Sequence, residues 1–164
     1  VMMGRYPHFH FAPGKTDWRI CDEVISLMKL DDFRERNYLT LSGGEKQRVQ
    51  FARVLAQVWE LPPGGHRYLF LDEPLNSLDI NYQQEFLQLA RSLLGEQTIL
   101  VAVMHDINLA AQYGDQLFFL REGIKVAGGS PSEVLKAALI EDVFSVKVHV
   151  IKHPLNKTPM IIYP

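Results

Sequence analysis

Three short stretches carry residue types that handle phosphate and water. The first, Leu41-Ser42-Gly43-Gly44-Glu45, opens a helical pattern. Ser42 and Glu45 stand in the S-x-x-E spacing of a capping box, which explains both ends but not the glycines between them. Two glycines in a first helical turn cost up to about 1 kcal/mol each relative to alanine. Their bare backbone lets an anion come close to the positive end of a helix, and the Ser42 hydroxyl adds a donor. The second, Leu69-Phe70-Leu71-Asp72-Glu73, is an apolar run ended by two acids. Here Asp72 can hold a metal-bound water, and Glu73 can orient or deprotonate an attacking water. Adjacent acids at a strand end also suit a plain solvated loop. The third is His105, after another apolar run. It can donate to a terminal phosphate, or join Asp106 in capping the next helix.

A fourth stretch, Ala12-Pro13-Gly14-Lys15-Thr16-Asp17, ends like a phosphate loop. That loop reads G-x-x-x-x-G-K-[ST], and Phe9 stands where its first glycine belongs. The lead-in "GRYPHFHFAP" has two prolines and three aromatics and reads as loop, not strand. The segment is expected to be an exposed turn, with Asp17 capping a helix from about Trp18.

Regular elements must position these residues. Residues 1–17 read as loop. Helical spacing marks residues 18–30 through Ile20, Val24, Leu27 and Met28. It is strongest over residues 42–59, where Val49, Ala52, Leu55, Ala56 and Trp59 form one stripe. "ELPPGGH" is the best internal boundary. Beyond it come a buried strand at 68–71, a helix over 81–94 with Leu94 on its apolar stripe, and a second buried strand at 98–106. Continuous apolar strands joined by a helix imply a parallel sheet covered on both faces. Ligands bind beyond the carboxyl ends of such strands, where Asp72, Glu73 and His105 fall. A short helix, two strands turning at Glu122-Gly123, a helix from Ser130 with Pro131 first, and strands at 146–151 and 159–163 complete the pattern.

The 164 residues, 47 % apolar and 22 % charged, suit one domain with a sizeable core. A net charge of −2 gives no sign of nucleic-acid binding. The single cysteine, Cys21, excludes an intrachain disulfide and reads as a small buried residue on a helix. No apolar run is long enough to span a membrane, and no secretory signal is expected.

Taken in order, "LSGGEKQRVQFARVLA", "LFLDEPLNSLD" and "VMHD" closely resemble the ATP-binding-cassette ATPases, over essentially the whole chain. The resemblance implies an α/β fold of the phosphate-loop NTPase class, with a parallel-sheet core and a helical signature subdomain. It implies a helical part at 1–60 and part of the catalytic core at 61–164. Leu41, Ser42, Gly43, Gly44 and Glu45 match the signature motif. Asp72 matches the acid that holds Mg²⁺ through water, and Glu73 the catalytic carboxylate. Ser77, Leu78 and Asp79 match the D-loop, and His105 the switch histidine. "EPLNSLD" departs from the commoner "EPTSALD" but keeps Leu78 and Asp79. Such ATPases hydrolyse ATP as head-to-tail homodimers, the signature of one subunit facing the ATP held by the other. Their phosphate loop lies far upstream of the signature, so Gly14-Lys15-Thr16 does not match it. The chain corresponds to the C-terminal two-thirds of a cassette and is expected to be inactive alone.

"MGRYPH" and "HDINLAAQYGD" resemble the importers of iron chelates, hemin and cobalamin. The long "AQVWELPPGGHRYLFLDEP" connection and the final "VFSVKVHVIKHPLNKTPMIIYP" favour hemin, ahead of ferric siderophore and cobalamin. Implied partners are membrane permease subunits, a second ATPase copy and a periplasmic binding protein. The implied place is peripheral, on the cytoplasmic face of the inner membrane. A DNA-repair or chromosome-handling cassette is the less favoured alternative, because the chain lacks heptads and a basic surface. His8, His10, His149 and His153 read as solvated residues rather than metal or haem ligands.

Overall fold

The two apolar runs pair as a parallel ladder in the computed structural model, which describes residues 1–164 apart from Pro62, Ser77, Leu94 and Glu96. The chain forms two compact units, Val1–Val103 and Met104–Pro164.

In the first unit, β1 (Arg67–Asp72) and β2 (Thr98–Val103) run in register from Arg67 opposite Thr98 to Asp72 opposite Val103. A parallel pair requires a crossover, here containing α3 (Ile80–Leu93). Leu69 of β1 is buried, as are Phe86, Leu87 and Ala90 of α3. The other sheet face is open: Phe70 is 71 % exposed, and Val101 and Val103 are exposed too. The continuous apolar run predicted cover on both faces, and among the described residues one face is left exposed. Leu94, expected on the α3 stripe, lies outside the described residues.

Helices α1 (Lys15–Leu27) and α2 (Gly43–Gln57) follow the apolar spacing. α1 buries Ile20, Cys21 and Val24, and α2 buries Phe51, Ala52, Leu55 and Ala56. The Phe51 ring packs on Phe86 of α3 with centroids 4.4 Å apart, which ties α2 to the crossover. Trp59, placed on the α2 stripe from sequence, lies beyond the helix end and donates its indole N–H to Glu23 at 2.8 Å. Burial pushes the Cys21 thiol pKa up, as an apolar site requires.

Residues 1–17 are more ordered than their prolines and aromatics predicted. Met2–His8 is a 3-10 helix pressed on α2. A Cβ at Gly4 would lie 2.0 Å from the Arg53 carbonyl oxygen, so only glycine permits this approach. Arg5, only 2 % exposed, donates to Asp17 at 2.9 Å, the Ala56 carbonyl at 2.9 Å and Glu60 at 3.1 Å. Tertiary contacts, which local propensity does not register, order this segment. α1 begins earlier than predicted, with Gly14 as its N-cap. Asp17 caps from inside the first turn, accepting from the Gly14 N–H at 2.9 Å. That amide and the Arg5 guanidinium hold its carboxyl below its ordinary pKa.

The second unit starts with α4 (Ile107–Tyr113), capped by Asp106, which accepts from the Leu109 N–H at 2.9 Å. The β3–β4 hairpin (Leu117–Arg121, Ile124–Gly129) turns on Glu122 and Gly123, both at positive φ. Such a pair of residues makes the turn whose twist matches the strands. The helix expected from Ser130 is broken in two, α5 (Pro131–Val134) and α6 (Ala137–Phe144), with Leu135 buried between them. β5 (His149–Lys152) and β6 (Pro159–Ile162) pair antiparallel. Leu117, Phe119, Ile140, Val148 and Ile161 meet in the core. The Asn108 amide of α4 engages both backbone groups of Ile161, accepting at 2.7 Å and donating at 3.0 Å.

Candidate functional site

The α2 N-terminus is built as the S-x-x-E spacing predicts. Ser42 is the N-cap; its N–H donates to Glu45 Oε2 at 2.7 Å, and its Oγ accepts from the Glu45 N–H at 3.3 Å. Leu41 is buried, which anchors the entry to the helix, while Ser42 and Gly43 are exposed and Gly44 is half-buried. The Ser42 hydrogen bonds, backbone first, hold the Glu45 carboxyl below its ordinary pKa, with Arg36 and Arg48 adding attraction. The outcome is a capped helix end with accessible glycine backbone, a geometry that accepts an anion.

The β1 C-terminus is the second part. Asp72 is its last residue and is exposed, which suits holding a metal ion through water. Among the described residues no group of three or more His, Cys, Asp and Glu gathers into a metal cage. Glu73 follows at φ 45°, in the left-handed region. A non-glycine residue there costs about 1–2 kcal/mol and persists only where its surroundings fix it. They do: its N–H donates to the Val103 carbonyl of β2 at 3.1 Å, and its own carbonyl accepts from the Asn76 N–H at 3.2 Å. The Asn76 side-chain amide also donates to the Glu73 carboxylate.

The turn after Glu73 is held by side-chain amides that sequence reasoning missed. Gln47 of α2 donates to the carbonyl of buried Pro74 at 3.1 Å. Gln83 of α3 reaches the Leu78 carbonyl at 3.2 Å and the Leu75 carbonyl at 3.4 Å. Arg48, next to Gln47, lies between the rings of Phe33 (5.5 Å) and Tyr82 (4.8 Å). The available signal was weak: polar residues off the apolar stripe of α2. Leu78 is buried. Asp79 caps α3, its carboxylate accepting from the Tyr82 N–H at 3.0 Å. Ser77 lies outside the described residues.

The first unit therefore brings the Leu41–Glu45 segment and the Asp72–Asp79 turn together through one helix, α2. His105 lies in the second unit, two residues past β2, and is exposed. Asp106, not His105, performs the capping of α4. His8 hydrogen-bonds the Gln57 carbonyl at 2.7 Å.

No protein-family model matches the chain. The hemin import ATP-binding protein HmuV of Gloeobacter violaceus is 46 % identical over 162 residues, covering 99 % of this chain and 59 % of that protein. HmuV of Myxococcus xanthus is 41 % identical, covering 99 % of this chain and 61 % of its own length. The chain thus spans about three-fifths of the curated relatives it matches. Among solved structures, an inward-facing putative metal-chelate type ABC transporter shares the fold, with a TM-score of 0.82 at 20 % identity over 98 % of this chain and 64 % of that one. The ATP-binding cassette MJ0796, in a dimeric post-hydrolysis state bound to ADP and Pi, has a TM-score of 0.60 at 28 % identity over 74 % of this chain and 50 % of that one. In sequence along nearly its whole length the chain is similar to these hemin import ATP-binding proteins, and in fold it is similar to solved ATP-binding cassettes.

Proposed function

We propose that this chain serves in the ATP-hydrolysing subunit of an importer, coupling hydrolysis to uptake of hemin, with another iron chelate or cobalamin as the alternative cargo. The observation that carries the reading is Glu73, fixed in a left-handed conformation at the end of a parallel strand and beside exposed Asp72. A strained carboxylate there is a device for aiming an oxygen. The hemin assignment rests on the relatives' names at 41–46 % identity.

Glu73 would orient and polarise the attacking water, and Asp72 would hold Mg²⁺ through water. Ser42 and the Gly43–Gly44 backbone would meet the phosphates of ATP bound by a second copy, and His105 would donate to the terminal phosphate. Bound magnesium would neutralise developing charge on the phosphates. Ser77, Leu78 and Asp79 would form the D-loop between copies. Functionally, residues 1–60 would form the helical part and 61–164 part of the catalytic core. A permease would dock on the helical part, where Leu30, Phe33, Tyr38, Leu41 and Arg53 line a 330 Å³ cavity. A periplasmic binding protein would complete the system, with this subunit peripheral on the cytoplasmic membrane face. No helix among the described residues is long and apolar enough to cross a membrane.

The test uses the longer protein that carries a phosphate loop. Glu73→Gln should bind ATP normally and lower phosphate release by at least about a hundredfold. Hydrolysis near the unsubstituted rate would remove Glu73 from this role.

A further inference from the structure

We propose that Gln47 is a positioning residue for hydrolysis: through the Pro74 carbonyl it passes the placement of the α2 N-terminus to Glu73. This rests on the functional reading above and adds a link between the two nucleotide sites of a dimer.

The Glu73–Pro74 dipeptide is held at both ends. On one side the Glu73 N–H is tied to β2 through the Val103 carbonyl. On the other the Pro74 carbonyl is tied to α2 through Gln47 at 3.1 Å. Pro74 is buried away from water, so its carbonyl needs a donor from the protein. Gln83 holds the far end of the turn through the Leu78 carbonyl. A displacement of α2 relative to β2 therefore acts on Glu73, the one residue at positive φ among the described residues of this turn. Its left-handed basin is narrow, so a small pull re-aims the carboxylate rather than being spread along the chain.

Gln47 lies only two residues past Glu45 on a continuous helix. The segment that would meet the opposing subunit's ATP and the donor that holds this subunit's Glu73 turn therefore move together. Nucleotide arriving at the signature of one site would set the catalytic carboxylate of the other.

The experiment measures steady-state ATP hydrolysis in the longer, phosphate-loop-bearing protein. Gln47→Met keeps the length and removes the donor. It should lower kcat about three- to tenfold, the effect of one lost neutral hydrogen bond. KM for ATP should stay within about twofold, and the Hill coefficient should fall toward one. Gln47→Lys, which restores a donor, should recover most of kcat. Should Gln47→Met fail to fold, Gln47→Glu carries the test, because it keeps size and polarity while losing the donor, and the same selective loss is expected. Full activity and cooperativity in Gln47→Met or Gln47→Glu would overturn the proposal, as would a loss not recovered by Gln47→Lys. If the unsubstituted protein fails to hydrolyse ATP, or Glu73→Gln hydrolyses normally, the functional reading falls and this inference with it. Hydrolysis lost in Glu73→Gln but intact without the Gln47 donor overturns this inference alone.

Discussion

Helices α2 and α5 begin with the same device and differ in what lies inside it. In α2, Glu45 folds back to the Ser42 N–H at 2.7 Å; in α5, Glu133 folds back to the Ser130 N–H at 2.8 Å. Between the paired residues stand Gly43-Gly44 in one case and Pro131-Ser132 in the other. α5 shows that the cap works without glycine. Proline suits the first helical position, where its missing N–H is not needed, and it closes that position to an anion. The glycines of α2 weaken the helix while leaving N–H groups accessible. Capping explains the acids and serines but not the glycines, which the proposed approach of phosphate would explain. Helix α1 adds a third case, with Asp17 folded back to Gly14 around Lys15-Thr16.

The largest expected effect is all-or-none and concerns that third start. The Gly14 amide is already taken by Asp17, whose carboxylate also pairs with buried Arg5. Inside the first turn of α1 stand Lys15 and Thr16 rather than glycines, so no bare backbone is left for phosphate to reach. Titration of Mg-ATP into the 164-residue chain should therefore show no binding at millimolar nucleotide. Micromolar binding would mean that "APGKTD" or another segment holds phosphate, and the contrast between the three helix starts would collapse.

Next in size is Gly44→Ala. It should leave the chain as stable as before, or stabilise it by up to about 1 kcal/mol, because alanine is the better helix former. In the longer protein the added methyl group should lower hydrolysis about tenfold or more by obstructing the approach of phosphate to backbone donors. Ser132→Ala in α5 should change hydrolysis little. Thermal unfolding and phosphate release, measured on the same samples, separate the two effects. A Gly44→Ala protein with unchanged turnover would make the glycines incidental.

A smaller effect distinguishes the two serines. Ser42→Ala and Ser130→Ala should each cost about 1 kcal/mol of stability through the lost cap. Only Ser42→Ala should also slow hydrolysis, because only that hydroxyl sits where phosphate would arrive. Equal kinetic losses would show that both act through stability alone.

Much of this arrangement was legible in the sequence because it is local. The S-x-x-E spacing specified the cap at Ser42, Pro131 marked the helix start at Ser130, and unbroken apolar runs specified β1 and β2. Asp72 and Glu73 fall at a strand end because the apolar run stops there. What escaped was set by contacts far apart in the chain. The 3-10 helix at Met2–His8 exists because Gly4 and Arg5 reach α2. Gln47 and Gln83 read as ordinary polar helix residues until the turn between their helices is seen to need donors. The left-handed Glu73 was equally hidden, since no local signal calls for positive φ at glutamate. The open face around Phe70 escaped for a related reason: an apolar run specifies what a strand would bury, not what is present to cover it.

The smallest effect lies in acid. Both Glu45 and Glu133 titrate below their ordinary value of 4.5 when folded. A depressed carboxyl pKa adds stability that is complete above the unfolded value and is lost as pH falls through the folded one. The loss should therefore begin near pH 4.5 and deepen below it, and Glu45→Gln or Glu133→Gln should each flatten part of that slope. The two differ in origin. Ser130 hydrogen bonds alone depress Glu133, whereas Arg36 and Arg48 add to the pull on Glu45. Salt screens the attraction of exposed charges but leaves short hydrogen bonds largely intact. Raising salt should therefore shrink the Glu45 share of the slope more than the Glu133 share, read from unfolding curves of both variants at low and high ionic strength. Equal salt sensitivity would mean that the arginines beside α2 do not act on Glu45, and the two caps would then be alike in everything but their glycines.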